Sequence, residues 1–292
     1  MASTNVETLS QSRLRPYLAL ARVSNTPTVV SNVLAGVVLA TALQLNWLVI
    51  ALCISMALFY TAGMFLNDIL DLKIDKEQRP DRPIPSGAVS LANAWRITIA
   101  LFAIGLALII PAGMPAFLAA IALIICIAVY DAWHKGNPIG PLFMAGTRVL
   151  VYVVAFLSFS TDWTWEATFW CAAMLVYVAG LTSISKTEHG PAAVRYWPVV
   201  SLFIPAVLAL TMEINAGTIV LSLALIAWAI YSLTFVLVQE RRSIGRSIAQ
   251  LIAGISLVDA LVLATHEAWW GVFIAIIAFG ATVYLQRWIR GT

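Results

Sequence analysis

The sequence predicts an all-α membrane protein: a polytopic transmembrane helical bundle of nine to ten spans, with ten favoured. Three observations carry that prediction. The 292-residue chain is 61% hydrophobic and only 11% charged, against roughly 25% charged in soluble domains. Its charged residues gather between apolar runs mostly near about 20 residues long, the length that crosses about 30 Å of hydrocarbon as helix. The basic residues also take sides. With the N-terminal end placed on side one, all seventeen Lys and Arg fall in side-one loops or in the half of a span nearer to them.

In chain order, residues 1–12 are polar, with no signal-peptide core before the first span, and residues 1–16 read as a short cytoplasmic tail. Ten apolar segments follow, at about 17–44, 47–66, 91–110, 114–130, 139–160, 167–185, 193–212, 218–238, 247–264 and 269–286. The first is long enough to include an interfacial start at Arg13-Leu-Arg-Pro16. Pro83-Ile-Pro85-Ser-Gly87 breaks the helix after the second segment, and Ser90 is placed to cap the next one. Pro111-Ala-Gly113 and Gly136-Asn-Pro138 mark short turns.

The side-two turns hold only Asp162, Glu166, Glu213, Glu267 and His266, so the positive-inside rule makes side one cytoplasmic, both termini included. Nine spans would strand Arg287 and Arg290 outside, and ten keep them inside. The alternative is that one of 247–264 and 269–286 is peripheral or re-entrant. Cys53, Cys126 and Cys171 all fall inside apolar runs, against a disulfide framework or a zinc site.

The chemistry concentrates in Asn67-Asp68-Ile-Leu-Asp71-Leu-Lys-Ile-Asp75, directly after the apolar run Trp47 to Leu66. If the helix continues, each residue turns about 100°, so from Asn67 the residues Asp71, Asp75 and Asp68 lie at about 40°, about 80° and about 100°. Lys73, Lys76 and Glu77 point the other way. Three carboxylates on one arc repel unless a cation sits among them, and hard oxygen ligands suit Mg²⁺. The competing reading is a charged helix end at the membrane surface.

This pattern, N-D-x-x-D-x-x-x-D followed by R-x-x-R-P-I-P-S-G from Arg79 and Arg82 onward, resembles the first aspartate-rich motif of the UbiA superfamily of intramembrane prenyltransferases. The resemblance implies a single UbiA-like transmembrane domain over 17–290. It also implies magnesium as cofactor, held by Asn67, Asp68, Asp71 and Asp75, and a prenyl diphosphate as substrate. Arg79, Arg82, Tyr130, Lys135 and Lys186 are the candidates for binding the diphosphate, with Asp68, Asp71, Asp75 and Lys135 as catalytic residues. The acceptor is not identified by any residue: quinone precursors, chlorophyllide, haem, glycerol lipids and phenolics are all used in the superfamily. The partners are otherwise the bilayer, with no nucleic acid.

Tyr130 and Lys135 lie in Tyr130-Asp-Ala-Trp-His-Lys135-Gly, similar to the tyrosine and lysine the superfamily places after its fourth span. For Lys135 the alternative is positive-inside anchoring of the loop. The superfamily carries a second aspartate-rich motif after span six; this chain has Ser185-Lys186-Thr-Glu188-His189-Gly190 there, with Glu188 the only acid. Lys186 could replace a missing metal as a point charge, or Glu188 and His189 could hold one metal. The degenerate loop, with the Tyr-Asp-Ala-Trp segment, resembles the divergent EboC-like branch.

Two charges lie within spans. Arg148, about 14 Å deep at about 1.5 Å per residue, should face the interior, either extending the diphosphate pocket or bonding within the bundle. Asp259 is expected to make a packing hydrogen bond. Asn32 is placed either to line the cavity or to bond between helices. Three readings therefore stand: a prenyltransferase, a non-catalytic isoprenoid-diphosphate-binding protein, and a secondary transporter. The transporter rests on Arg148 and Asp259 and requires broken spans at the midplane, hinted at by Gly146 and Gly254.

Overall fold

The computed structural model describes residues 15–133, 137–186 and 196–288, and these are helical apart from turns and loops. A short helix over residues 15–20 and a 3-10 turn at Val23–Asn25 precede α1 (Pro27–Ala40). Then come α2 (Trp47–Leu70), α3 (Leu72–Gln78), α4 (Leu91–Ile109), α5 (Met114–Trp133), α6 (Gly140–Leu157) and α7 (Trp165–Ser185). The chain ends with α8 (Tyr196–Ser201), α9 (Ile204–Met212), α10 (Ala216–Leu237), α11 (Ile244–Thr265) and α12 (Trp269–Leu285).

Local sequence explains the helix starts. The Asn46 side chain accepts from Val49 N–H, Ser90 Oγ from Asn93 N–H and Thr164 Oγ1 from Ala167 N–H, each satisfying a first-turn amide. Asn215 and Thr218 cap each other's backbone at the start of α10. Proline opens α1 and α9, where its missing N–H costs nothing.

Eight helices are long and apolar enough to cross a membrane, and 196–212 and 269–285 are shorter apolar helices. All ten apolar segments are thus helical, two with internal breaks. The first breaks at Arg22, which takes a left-handed conformation at φ 43°. The seventh breaks between α8 and α9, in a stretch holding Pro198 and Pro205.

The bundle has an inside and a lipid side. α1 and α11 are its axis: α11 is 83% buried over its apolar window, and α4 and α5 are 22% buried over theirs. Segment 247–264, a candidate for a peripheral or re-entrant helix, is therefore the most enclosed helix of the bundle. α1 packs on α2, α6, α11 and α12, and α11 on α7, α9, α10 and α12. At Gly36 a Cβ would stand 2.8 Å from the Tyr152 carbonyl oxygen, so the α1–α6 approach requires glycine there. Outward, Ile54, Ile99, Ile104, Ile125, Leu223 and Ile277 are exposed in mid-helix, which only lipid accepts. Trp47, Trp165 and Trp269 begin helices at one end, and Trp133 and Trp288 lie at the other, all exposed, as in the aromatic belts of membrane proteins. The three cysteines are free thiols.

Candidate functional site

The expected arc is present. α2 runs to Leu70, Asp71 is a one-residue junction at φ −81° and ψ −5°, and α3 continues from Leu72. Asp68, Asp71 and Asp75 are buried at 6%, 9% and 4% exposure, and Lys73, Lys76 and Glu77 are exposed. The turn after α3 folds back over the arc. Ser86 N–H donates to Arg82 C=O and Val89 N–H to Pro83 C=O, while Gly87 supplies a φ of 78°. Ile84 and Val89 sink into a small apolar cluster with Leu20, Phe65, Ile69 and Ala94. This anchoring carries Arg82 over the acids: its Nη1 lies 2.7 Å from Asp75 Oδ2 and 3.3 Å from Asp68 Oδ1.

Arg22, Tyr60 and Asp131 complete this end, and none of the three was among the sequence candidates. Arg22 Nη2 lies 3.4 Å from Asp68 Oδ1. Its left-handed backbone costs roughly 1–2 kcal/mol. Tyr60 Oη donates to the Arg22 carbonyl at 3.3 Å. Asp131, 5% exposed at the end of α5, accepts from Asn67 Nδ2 at 3.2 Å, so a fourth buried acid borders the arc. Tyr60 was detectable: it precedes Asn67 by seven residues and Asp71 by eleven, on the same helical face. Arg22 carried no local signal.

The site borders a cavity of about 1180 Å³, lined by Arg22, Arg79, Arg82, Tyr130, Tyr60, Met144 and Arg148 and by residues of α7 and α10–α12. No carboxylate stands among the described residues that line it. A smaller apolar pocket, about 60 Å³, lies between α2, α5 and α6 against Phe59, Leu123 and Ile127, with Tyr60, Tyr130, Met144 and Arg148 shared between the two.

The donor set is hard oxygen, of the kind magnesium takes. Arg82 stands where a cation would neutralise Asp68 and Asp75, and no three His, Cys, Asp or Glu among the described residues converge as a metal cage. The acids therefore fit a divalent ion in type and burial, and closing on one requires Arg82 to release its carboxylates.

Arg148 is buried, its guanidinium carbon 5.7 Å from the Tyr60 ring centre, and it lines both cavities. Its Nη1 donates to Asn32 Oδ1 at 2.9 Å. Asn32 Nδ2 in turn donates to Asp259 at 2.8 Å, joined there by Tyr152 Oη at 2.6 Å and by the Ser31 hydroxyl. Asn32 is thus an interhelical tie between α1, α6 and α11 and does not line either cavity. Asp259 is the expected packing acceptor, fully buried. The midplane breaks a transporter would need are missing from α6 and α11, which are continuous; at Gly254 the absent Cβ makes room for the Tyr177 hydroxyl.

Lys186 is exposed and does not line the cavity. Its Nζ donates to the Asn137 carbonyl, tying the end of α7 to the α5–α6 loop, and its desolvation there lowers its pKa. Lys135, Glu188 and His189 lie outside the described residues.

The fold is that of solved UbiA homologues. The chain aligns with one from Aeropyrum pernix at TM-score 0.69 and 19% identity, covering 82% of this chain and 97% of that one. It aligns with one from Archaeoglobus fulgidus, solved bound to GPP and Mg²⁺, at TM-score 0.62 and 18% identity over 88% of this chain and 99% of that one. In sequence it is 34% identical over 140 residues to the digeranylgeranylglyceryl phosphate synthase of Sulfolobus acidocaldarius, 47% of this chain and 50% of that protein. The chain thus spans about half the length of the curated relatives it matches. Residues 29–189, more than half of the chain, match the UbiA prenyltransferase family, and with its apolar helices the chain is an integral membrane protein of that family.

Proposed function

We propose that the protein is a magnesium-dependent prenyltransferase that moves an isoprenoid chain from its diphosphate to an acceptor. One observation supports this above the others: a buried arc of aspartates, roofed by arginines, at the edge of a large cavity that adjoins an apolar pocket. Asn67, Asp68, Asp71 and Asp75 would hold Mg²⁺, which supplies charge neutralisation of the diphosphate leaving group. Arg79, Arg82 and Arg22 bind diphosphate oxygens, with Lys135 as a further candidate. The prenyl C1–O bond breaks, its electron pair leaves on the diphosphate, the acceptor atom bonds to C1, and the acceptor's proton passes to the released diphosphate. Tyr60 and Tyr130 face this space and shield an electron-poor allylic carbon. The apolar lining of the large cavity, Met64, Met144, Val178 and Leu181, takes the chain and keeps water out. By the positive-inside rule the arginine-rich end faces the cytoplasm.

Sustained release of diphosphate from geranylgeranyl diphosphate, with Mg²⁺ and a panel of acceptors, tests the reading. It is expected in the unmodified chain and lost in Asp71→Ala. Tight Mg²⁺-dependent binding without release, whatever acceptor is supplied, would leave a binding protein, the reading favoured by the single acid of the loop after α7.

A further inference from the structure

One buried cation has no part in the transfer itself. Arg148 lies within α6, 6% exposed, and among the described residues no carboxylate stands within ion-pair distance of it. A charge so placed is expensive in a bilayer and is kept where it has a partner and a task. Its contacts run in two directions. Toward the bundle axis, its Nη1 donates to Asn32 Oδ1 at 2.9 Å. Asn32 Nδ2 donates to the two oxygens of Asp259 at 2.8 and 2.9 Å, which fixes the amide with its own oxygen toward the arginine. Tyr152, one turn beyond Arg148 on α6, donates to the same carboxylate at 2.6 Å, so α1, α6 and α11 clamp Arg148 together. Toward the aspartate arc, the guanidinium carbon stands 5.7 Å from the centre of the Tyr60 ring. The hydroxyl of that ring donates to the Arg22 carbonyl at 3.3 Å.

Arg22 is where support is needed. Its left-handed φ of 43° is a conformation that a residue with a side chain keeps only where its neighbours fix it. Its carbonyl accepts from Asn25 N–H at 3.1 Å and from Tyr60. The bend so held separates the helix over 15–20 from α1 and sets Arg22 Nη2 3.4 Å from Asp68 Oδ1. A continuous series of contacts therefore leads from Asp259 to Asp68 through Asn32, Arg148, Tyr60 and Arg22.

We propose that Arg148 and Tyr60 are positioning residues for Arg22. Arg148, clamped through Asn32 and Asp259, holds the Tyr60 ring, and the Tyr60 hydroxyl locks the bend that keeps the Arg22 guanidinium on the arc, where it meets the diphosphate. The proposal rests on the transferase reading and names what fixes one of its phosphate-binding arginines.

The test uses the full chain purified in detergent and two measurements. The first is Mg²⁺-dependent binding of geranylgeranyl diphosphate, with geranylgeraniol as the probe that lacks phosphate. Arg22→Gln is expected to lose about tenfold in diphosphate affinity, the scale of a charged hydrogen bond. Tyr60→Phe keeps the ring and removes only the hydroxyl; it and Arg148→Gln should each lose about threefold to tenfold, with Arg148→Lys closer to the parent. In the Arg22→Gln background neither should weaken binding further by more than about twofold, because residues that act through one group do not add. Geranylgeraniol affinity should stay the same throughout. The second measurement needs no ligand. In a chain with Cys53, Cys126 and Cys171 replaced, spin labels at the exposed positions of Arg15 and Lys76 report the distance between the N-terminal helix and α3 by pulsed electron resonance. Tyr60→Phe and Arg148→Gln should shift or broaden it. Should Arg148→Gln not fold, Tyr60→Phe and Arg148→Lys carry both measurements. Losses that multiply in full with Arg22→Gln overturn the proposal, because the residues then act independently of Arg22. Unchanged diphosphate affinity in Tyr60→Phe, an equal loss for geranylgeraniol, or unchanged label distances overturn it too. Failure of the transferase reading shows separately, as absent Mg²⁺-dependent binding by the unmodified chain, and the label distances then still decide the positioning.

Discussion

Arg82→Gln separates the two states of the aspartate arc. Arg82 makes the shortest ion pair among the described residues, 2.7 Å to Asp75, and a second at 3.3 Å to Asp68. The side chains are 19%, 6% and 8% exposed, so solvent weakens the pairing only partly. Removing one partner of a fully buried pair costs about 3–5 kcal/mol, and the exposure of Arg82 reduces that to about 2–3 kcal/mol. At about 2–4 °C per kcal/mol for a chain of this size, the apparent melting temperature without magnesium should fall by about 5–10 °C. Magnesium should reverse the order of response. In the parent, the ion competes with Arg82 for Asp68 and Asp75; in the variant Asp75 is released and Asp68 keeps only the longer Arg22 contact, and binding to the folded state raises stability. The Mg²⁺-induced rise should therefore be larger in Arg82→Gln than in the parent, while affinity for geranylgeranyl diphosphate drops about tenfold. Thermal unfolding in detergent, with and without millimolar MgCl₂, reads both. A variant that melts with the parent and shows the same magnesium response would refute the claim that Arg82 holds the site of the ion.

The other expectations are direct. Asp71→Ala should abolish Mg²⁺-dependent binding of a prenyl diphosphate with membrane insertion intact, and metal-free stability equal or higher, because one like charge leaves the arc; unchanged affinity in Asp71→Ala and Asp75→Ala would sink the transferase and binding-protein readings together. Asp259→Leu should cost about 3–5 kcal/mol by taking the acceptor from Ser31, Asn32 and Tyr152 and leaving buried Arg148 without its nearby counter-charge, while Tyr152→Phe should cost about 1 kcal/mol; comparative melting of the two checks the order. In a chain stripped of Cys53, Cys126 and Cys171, single cysteines near 78 and 243 should label from the cytoplasm and those near 163 and 266 from the opposite face. Labelling of position 290 from outside would reject ten crossings.

Fold class, the positions of the ten apolar segments and the sharing of one helical arc by Asp68, Asp71 and Asp75 were legible in the residues alone. Each follows from interactions among residues near in sequence: run length against bilayer thickness, basic residues against side, and about 100° per residue along one helix. Tertiary structure alone decided which charges meet. Arg22 reaches Asp68 across 46 positions, and Ser31 and Asn32 reach Asp259 across 228 and 227. No local period relates such residues, because helix packing and the bend at Arg22 set their separation. For the same reason Asn32, open between cavity and interhelical bond in the sequence, is an interhelical tie. Arg246 and Arg287, legible only as basic residues at helix ends, line one cavity, where Gln286 joins α12 to α11. A carboxylate's place on a helix is local chemistry; the cation it faces is chosen by the packing of the whole bundle.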